Sequence, residues 1–241
     1  DGVNIGEAPE DAASPVSFDL LSGAGDADAG NAVTLVTESV KYSVDGSTSS
    51  SSLPAGVSFN TTTSTVSVDP NHSSFQNLSA GVERKIIVNY QVTDAANGGN
   101  PVNATYKVTI TGTNDAPVLT STAANLAGPV TEAGIAADGS AVAGVLQATG
   151  TLAATDVDAD ATAVWTRTGT ETSTYGTFVM GGTGTWTYDL DGQNVQSLKQ
   201  GQTVTETYAV QVSDGLGGVA AQSVTITITG TITRMRTTPT P

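Results

Sequence analysis

The chain has 241 residues, no cysteine and a formal net charge of −15, with 23 Asp and Glu against 8 Lys and Arg. That length suits two domains of roughly 100 to 150 residues; the missing cysteine excludes disulfides and thiolate metal sites; and the charge repels nucleic acid and anionic membrane surfaces. With 5% aromatic residues and no apolar run near the roughly 20 residues that a membrane helix needs, the composition reads as a small-side-chain β protein whose natural partners are cations.

Residues 1–10 lack a basic start followed by an apolar stretch, so no signal peptide is read there and the chain reads as an internal piece of a longer protein. Strand candidates follow at 33–44 and 65–68, and the Ser-rich stretch 47–52 is a loop within the first domain. Ile86, Val88, Tyr90 and Val92, then Tyr106, Val108 and Ile110, alternate with polar residues at the period of two that a half-buried strand requires. Pro117 stops regular structure, which puts a short linker at 114–118 and divides the chain into 1–115 and 116–241.

The second part begins with shorter strand candidates at 142–147, 163–167, 176–180 and 185–190. It closes on two alternating runs, Val204, Tyr208, Val210 and Val212, then Val224, Ile226 and Ile228. These repeat the first part: Leu78, Gly81, Val92 and Asp94 match Leu198, Gly201, Val212 and Asp214 without a gap. After a glycine pair, both copies end in Ile-Thr-Gly-Thr, at 110–113 and 228–231. About seven short strands per hundred-odd residues, without an amphipathic helix, predict an all-β chain of two tandem immunoglobulin-like or cadherin-like β-sandwiches. Trp165, Tyr175, Trp186 and Tyr188 are expected as core and rim aromatics of the second.

The motifs resemble two bacterial surface repeats. Gly-Thr-Leu-Ala-Ala-Thr-Asp-Val-Asp (150–158), Tyr-Gly-Thr (175–177), Gly-Thr-Trp-Thr-Tyr-Asp-Leu (184–190) and Val-Ser-Asp-Gly-Leu-Gly-Gly (212–218) resemble a VCBS repeat. Pro-Glu-Asp-Ala-Ala (9–13), Asp-Ala-Asp (26–28), Leu-Pro-Ala-Gly-Val (53–57) and Thr-Asn-Asp-Ala-Pro (113–117) resemble a bacterial cadherin-like repeat. The resemblance implies extender repeats of a large secreted RTX-type adhesin, on the bacterial surface or released from it. Such repeats space a distal binding domain from the cell for attachment and biofilm formation. Their partners are calcium and neighbouring repeats, and the chain is expected to be monomeric.

Calcium takes six to eight oxygens, so a site must collect several carboxylates and carbonyls. The resemblance implies four pieces: an acid near the domain start, an Asp-x-Asp, an Asp on a late strand and an Asn-Asp linker. Carried onto this chain they form a central set of Asn114, Asp115, Glu132, Asp156, Asp158 and Asp214, and an amino-terminal set of Glu10, Asp26, Asp28 and Asp94 without its linker. A single Asp in a turn most simply caps that turn, but these recur at corresponding places in both copies. After Thr231 the pattern breaks into Ile232-Thr233-Arg234-Met235-Arg236, which argues against a third junction.

An enzyme is not expected. His72 is the only histidine, its neighbours Asp69 and Ser73 lie in one polar loop, and no Gly-x-Ser-x-Gly is present. The alternative is a calcium-dependent module that recognises glycan or peptide through exposed loops and tryptophan.

Overall fold

The computed structural model describes residues 3–25, 32–94, 99–136, 138–169 and 173–231. It divides into two compact units, Asp1–Asp115 with Val157–Asp160, and Ala116–Asp156 with Ala161–Pro241. Among the described residues there is no α-helix.

Unit 1 carries β1 (Val3–Pro9), β2 (Val16–Asp19), β3 (Val33–Val44), β4 (Val57–Asn60), β5 (Thr65–Val68), β6 (Glu83–Asp94) and β7 (Val102–Thr111). They form two sheets, ordered β1-β7-β6-β3 and β2-β5-β4. All pairings are antiparallel except β1 with β7, which is parallel. The alternation in β6 and β7 sends Ile86, Val88, Val108 and Ile110 inward against Phe18, Val66 and Val68 of the other sheet. Burying each such side chain contributes roughly 1.5–3 kcal/mol. This is a β-sandwich. The Ser-rich stretch 47–52 is exposed and holds only a bridge from Ser50 to Tyr42.

Unit 2 carries β8 (Val118–Leu119), β9 (Ala127–Thr131), β10 (Gly134–Ile135), β11 (Ala141–Val142), β12 (Gln147–Thr151), β13 (Ala154–Thr155), β14 (Val164–Arg167), β15 (Gly176–Met180), β16 (Thr185–Leu190), β17 (Thr203–Ser213) and β18 (Val219–Thr229). Its main sheets are β14-β17-β18-β9 and β12-β16-β15, with two small pairs, β10-β11 and β13-β8. Again the first strand of the large sheet, β9, runs parallel to the last, β18. Pro129 is tolerated in β9 because that strand lies at the sheet edge.

The core of unit 2 is aromatic. Trp186 and Tyr188 are fully buried, Trp165 nearly so, and Phe178 stacks on Tyr208 with centroids 4.3 Å apart. Tyr175 packs against this cluster from the rim. Both tryptophans are therefore inside, and neither can stack on a sugar as the binding-module alternative requires.

The strand expected over 142–147 is not continuous, because Gly144 adopts φ +74° and breaks it. A side chain there would also meet the backbone of Ala133 and Thr131 at 2.6–2.7 Å, so glycine is required where the chain turns. Strands β1, β2, β4 and β9 carried no clear alternation in sequence. They are edge or short strands whose pairing comes from a neighbour rather than from their own pattern.

Candidate metal centre

In unit 1 the chain leaves β1 at Pro9 and continues the parallel ladder by one bond, from Glu10 N–H to the Thr111 carbonyl at 3.0 Å. Parallel pairing brings the end of β1 beside the end of β7, where the last strand exits. Glu10 is completely buried there. Its Oε1 accepts the N–H of Thr113 at 2.8 Å, while Oε2 is buried and has no hydrogen-bond partner among the described residues.

Beyond β7 the repeated glycine has a physical role. A Cβ on Gly112 would lie 2.3 Å from the carbonyl oxygens of both Leu78 and Ser79, so only glycine lets the exit strand pass under that loop. The same holds for Gly230 in unit 2, which meets Leu198 Cβ at 2.6 Å and the Lys199 carbonyl at 2.7 Å. Passing this point, the chain of unit 1 reaches Asn114 and Asp115. Asp115 N–H donates to Asp158 Oδ2 at 2.9 Å. The segment carrying Asp158 is further held by Ala159 N–H to the Asn77 carbonyl at 3.3 Å and Asp160 N–H to Ser79 Oγ at 3.2 Å.

Carboxylate oxygens of Glu10, Asp115 and Asp158 thereby come within 4.8 Å of one another. Glu10 and Asp158 are buried and Asp115 is half-buried. At that spacing each ionised pair repels by about 3 kcal/mol at an effective dielectric of about 20. Burial pushes the Glu10 carboxyl above its ordinary value, the N–H groups of Thr113 and Leu78 oppose this, and the charges of Asp11 and Asp115 add to it. Three carboxylate donors at that spacing, with Glu10 Oε2 buried and without a hydrogen-bond partner among the described residues, fit a hard divalent cation and not a soft thiolate-seeking metal.

The structure regroups the expected ligands. Glu10, placed by sequence in an amino-terminal set, joins Asp115 and Asp158. Glu132, placed with those aspartates, takes in unit 2 the place that Glu10 takes in unit 1. Its N–H donates to the Thr229 carbonyl at 3.0 Å, and its Oε2 accepts Thr231 N–H at 2.8 Å. The reason is the parallel strand: a residue at the end of β1 or β9 faces the exit of its own domain, although it stands near that domain's start in sequence.

Asp214 is buried, and its Oδ1 accepts N–H groups of Leu216, Gly217 and Gly218 at 2.6, 2.9 and 3.0 Å, with Gly218 also reaching Oδ2 at 2.9 Å. It locks the β17–β18 turn. Asn114 donates through Nδ2 to the Asp115 carbonyl at 2.9 Å. Asp156 is half-buried after β13, and Asp94 is half-buried at the end of β6. Asp26 and Asp28 lie outside the described residues. His72 is occupied locally, its Nδ1 lying 2.9 Å from Ser74 Oγ. Sequence reading passed over Gln76 and Gln196, whose amides reach Glu10 and Glu132; their recurrence before Leu78 and Leu198 was the available signal.

Residues 114–230 match the family model of the bacterial cadherin-like domain. The match starts at the Asn114-Asp115 pair and runs through most of unit 2 to Gly230. Among solved structures, human CDH23 EC21-23 is 14% identical over 95% of this chain and 72% of its own, at a TM-score of 0.48. Drosophila N-cadherin EC1-4 is 13% identical over 95% of this chain at a TM-score of 0.43, and this chain spans about half (49%) of it. No curated protein matches the sequence. Among the described residues no helix is long and apolar enough to cross a membrane.

Proposed function

We propose that this chain is a pair of calcium-stabilised extender repeats from a large secreted bacterial adhesin of the RTX type, a cadherin-like repeat followed by a repeat with VCBS character. In this reading it spaces and stiffens a distal binding domain for cell attachment or biofilm formation, acts as a monomer, and carries no catalytic activity. The cadherin-like family match at 114–230 supports an adhesion-type extracellular repeat. The observation that carries the calcium assignment is the buried Glu10 carboxylate beside Asp115 and Asp158, whose Oε2 has no hydrogen-bond partner among the described residues.

A cation there ties together chain positions 10, 115 and 158, and so restrains the linker that follows β7. Extracellular modules of this kind bind calcium at about 10⁻⁴–10⁻³ M, weak enough to load only outside the cell. Calorimetric titration of calcium into the chelator-treated chain tests the proposal. Binding in that range, weakened strongly in Glu10→Gln, supports it; the absence of a binding isotherm rules it out.

A further inference from the structure

Asn-x-Ser/Thr triplets, the acceptor pattern for an N-linked sugar, begin at Asn60, Asn71, Asn77 and Asn103, all in unit 1 and all exposed at the asparagine. The fold treats them differently. Asn60 ends β4 and pairs with Thr65 at the start of β5, so its triplet runs out of a strand into the hairpin turn at 61–64. Its Oδ1 accepts the N–H groups of Thr62 and Thr63 at 3.0 and 3.3 Å. This Asx turn curls the third residue of the triplet back toward the amide, and Thr61, Thr62 and Thr63 are all exposed. The foot of the turn is pinned by Leu20 N–H on the Ser64 carbonyl at 2.9 Å.

The other three triplets are tied into the fold. Ser79, the third residue of the Asn77 triplet, is buried; its Oγ donates to Asp160 Oδ2 at 3.3 Å and accepts Asp160 N–H at 3.2 Å. Asn103 lies within β7, between β1 and β6, and its Oδ1 accepts Gln91 Nε2 at 2.9 Å. The hydroxyl of Thr105, third in that triplet, donates to Asn89 Oδ1 at 2.9 Å. Asn71 stands in consecutive turns, closed by His72 N–H on the Asp69 carbonyl at 3.2 Å and Phe75 N–H on the His72 carbonyl at 2.9 Å.

We infer that Asn60 is the acceptor for N-linked glycosylation of this chain, from a sugar donor activated by phosphate at its anomeric carbon. An amide nitrogen is a poor nucleophile, and hydrogen bonds onto Oδ1 ease the loss of an Nδ2 proton. In the transfer Nδ2 bonds to the anomeric carbon and the bond from that carbon to the donor's phosphate oxygen breaks. The phosphate leaves with the electron pair, and one Nδ2 proton passes to a base of the transferase. Because β4 is an edge strand of β2-β5-β4, a sugar at its end opposes edge-to-edge pairing with other chains. The inference does not use the calcium reading.

Glycopeptide mapping of the whole folded chain by mass spectrometry tests it. One arm supplies a soluble N-glycosyltransferase with a nucleotide-activated hexose, the other an oligosaccharyltransferase with an oligosaccharide on lipid pyrophosphate. A tryptic digest of the chain is the unfolded reference, and an acceptor peptide in each tube reports enzyme activity. The folded chain should take sugar at Asn60, while the labelling that Asn77 and Asn103 show in the digest is lost. Thr62→Ala should abolish labelling at Asn60 and Thr62→Ser should retain it. Sugar on Asn60 in either arm supports the inference, and the arm that delivers it tells the two donor classes apart. Preferential labelling of another triplet in the folded chain overturns it. So does a bare Asn60 in both arms while the acceptor peptide is glycosylated, or a Thr62→Ala variant labelled like wild type.

Discussion

Tyr188 and Tyr208, on adjacent regions of the unit 2 core, donate to the same oxygen, Glu206 Oε2, each at 2.7 Å. The other oxygen accepts the N–H groups of Thr174 and Tyr175 at 2.6 and 3.0 Å, so one carboxylate fixes the approach to β15. Arg167 lies over the Tyr208 ring, 4.9 Å from its centre. Burial and the nearby carboxylate push Tyr208 up to about 12, and Tyr188 higher still.

Burial alone would raise the Glu206 carboxyl, but bonds from Tyr208, Tyr188, Tyr175 and Thr174 outweigh it and hold the group below its ordinary value. A depressed folded value means stability that is present above the unfolded value, about 4.3, and is lost as pH falls through the folded one. Unit 2 should therefore lose melting temperature below about pH 4. Glu206→Gln should flatten that acid limb and cost about 1–3 kcal/mol at neutral pH. Thermal unfolding from pH 3 to 7 reads both; an unchanged acid limb in the variant refutes the assignment.

The shared Ile-Thr-Gly-Thr makes a paired prediction. Gly112→Ala and Gly230→Ala force a methyl against backbone at 2.3 Å and 2.7 Å, and backbone cannot rotate away. Each should destabilise its own unit by about 1–3 kcal/mol or more. Gly182→Ala, which meets nothing within 4 Å, is the neutral control. Chemical denaturation that places all three variants together would contradict the packing account.

Calcium removal should destabilise unit 1 selectively. At one hundred times Kd the ion adds about 2.7 kcal/mol, which corresponds to about 10 °C in a domain of this size. Asp158→Asn should lose most of that increment while melting like wild type in chelator. Differential scanning calorimetry, with and without millimolar calcium, separates the two units. A melting increment that survives Asp158→Asn would exclude that residue as a ligand.

The extender role makes a mechanical prediction. In saturating calcium, Asp115→Ala combined with Asp158→Ala should broaden the small-angle scattering distance distribution while leaving the circular dichroism of the strands unchanged. Identical scattering from variant and wild type would show that these carboxylates do not restrain the linker.

What the sequence determined by itself is local and periodic. Alternation placed β6, β7, β17 and β18, because one buried face imposes a period of two on every residue of a long strand. The offset repeat from Leu78 to Leu198 located equivalent loops, and an acidic chain without cysteine pointed to a hard cation. Tertiary structure decided which acids meet. Parallel pairing of β1 with β7 and of β9 with β18 carries Glu10 and Glu132 to the exit ends of their own units, so neighbours along the chain were separated and Glu10 was delivered to Asp115 and Asp158. Turn geometry set Asp214 among the amides of Leu216, Gly217 and Gly218. Asp214 is held by donors two to four residues away, whereas Glu10 meets Asp115 across a hundred residues, and residue type alone carries no record of that long-range contact.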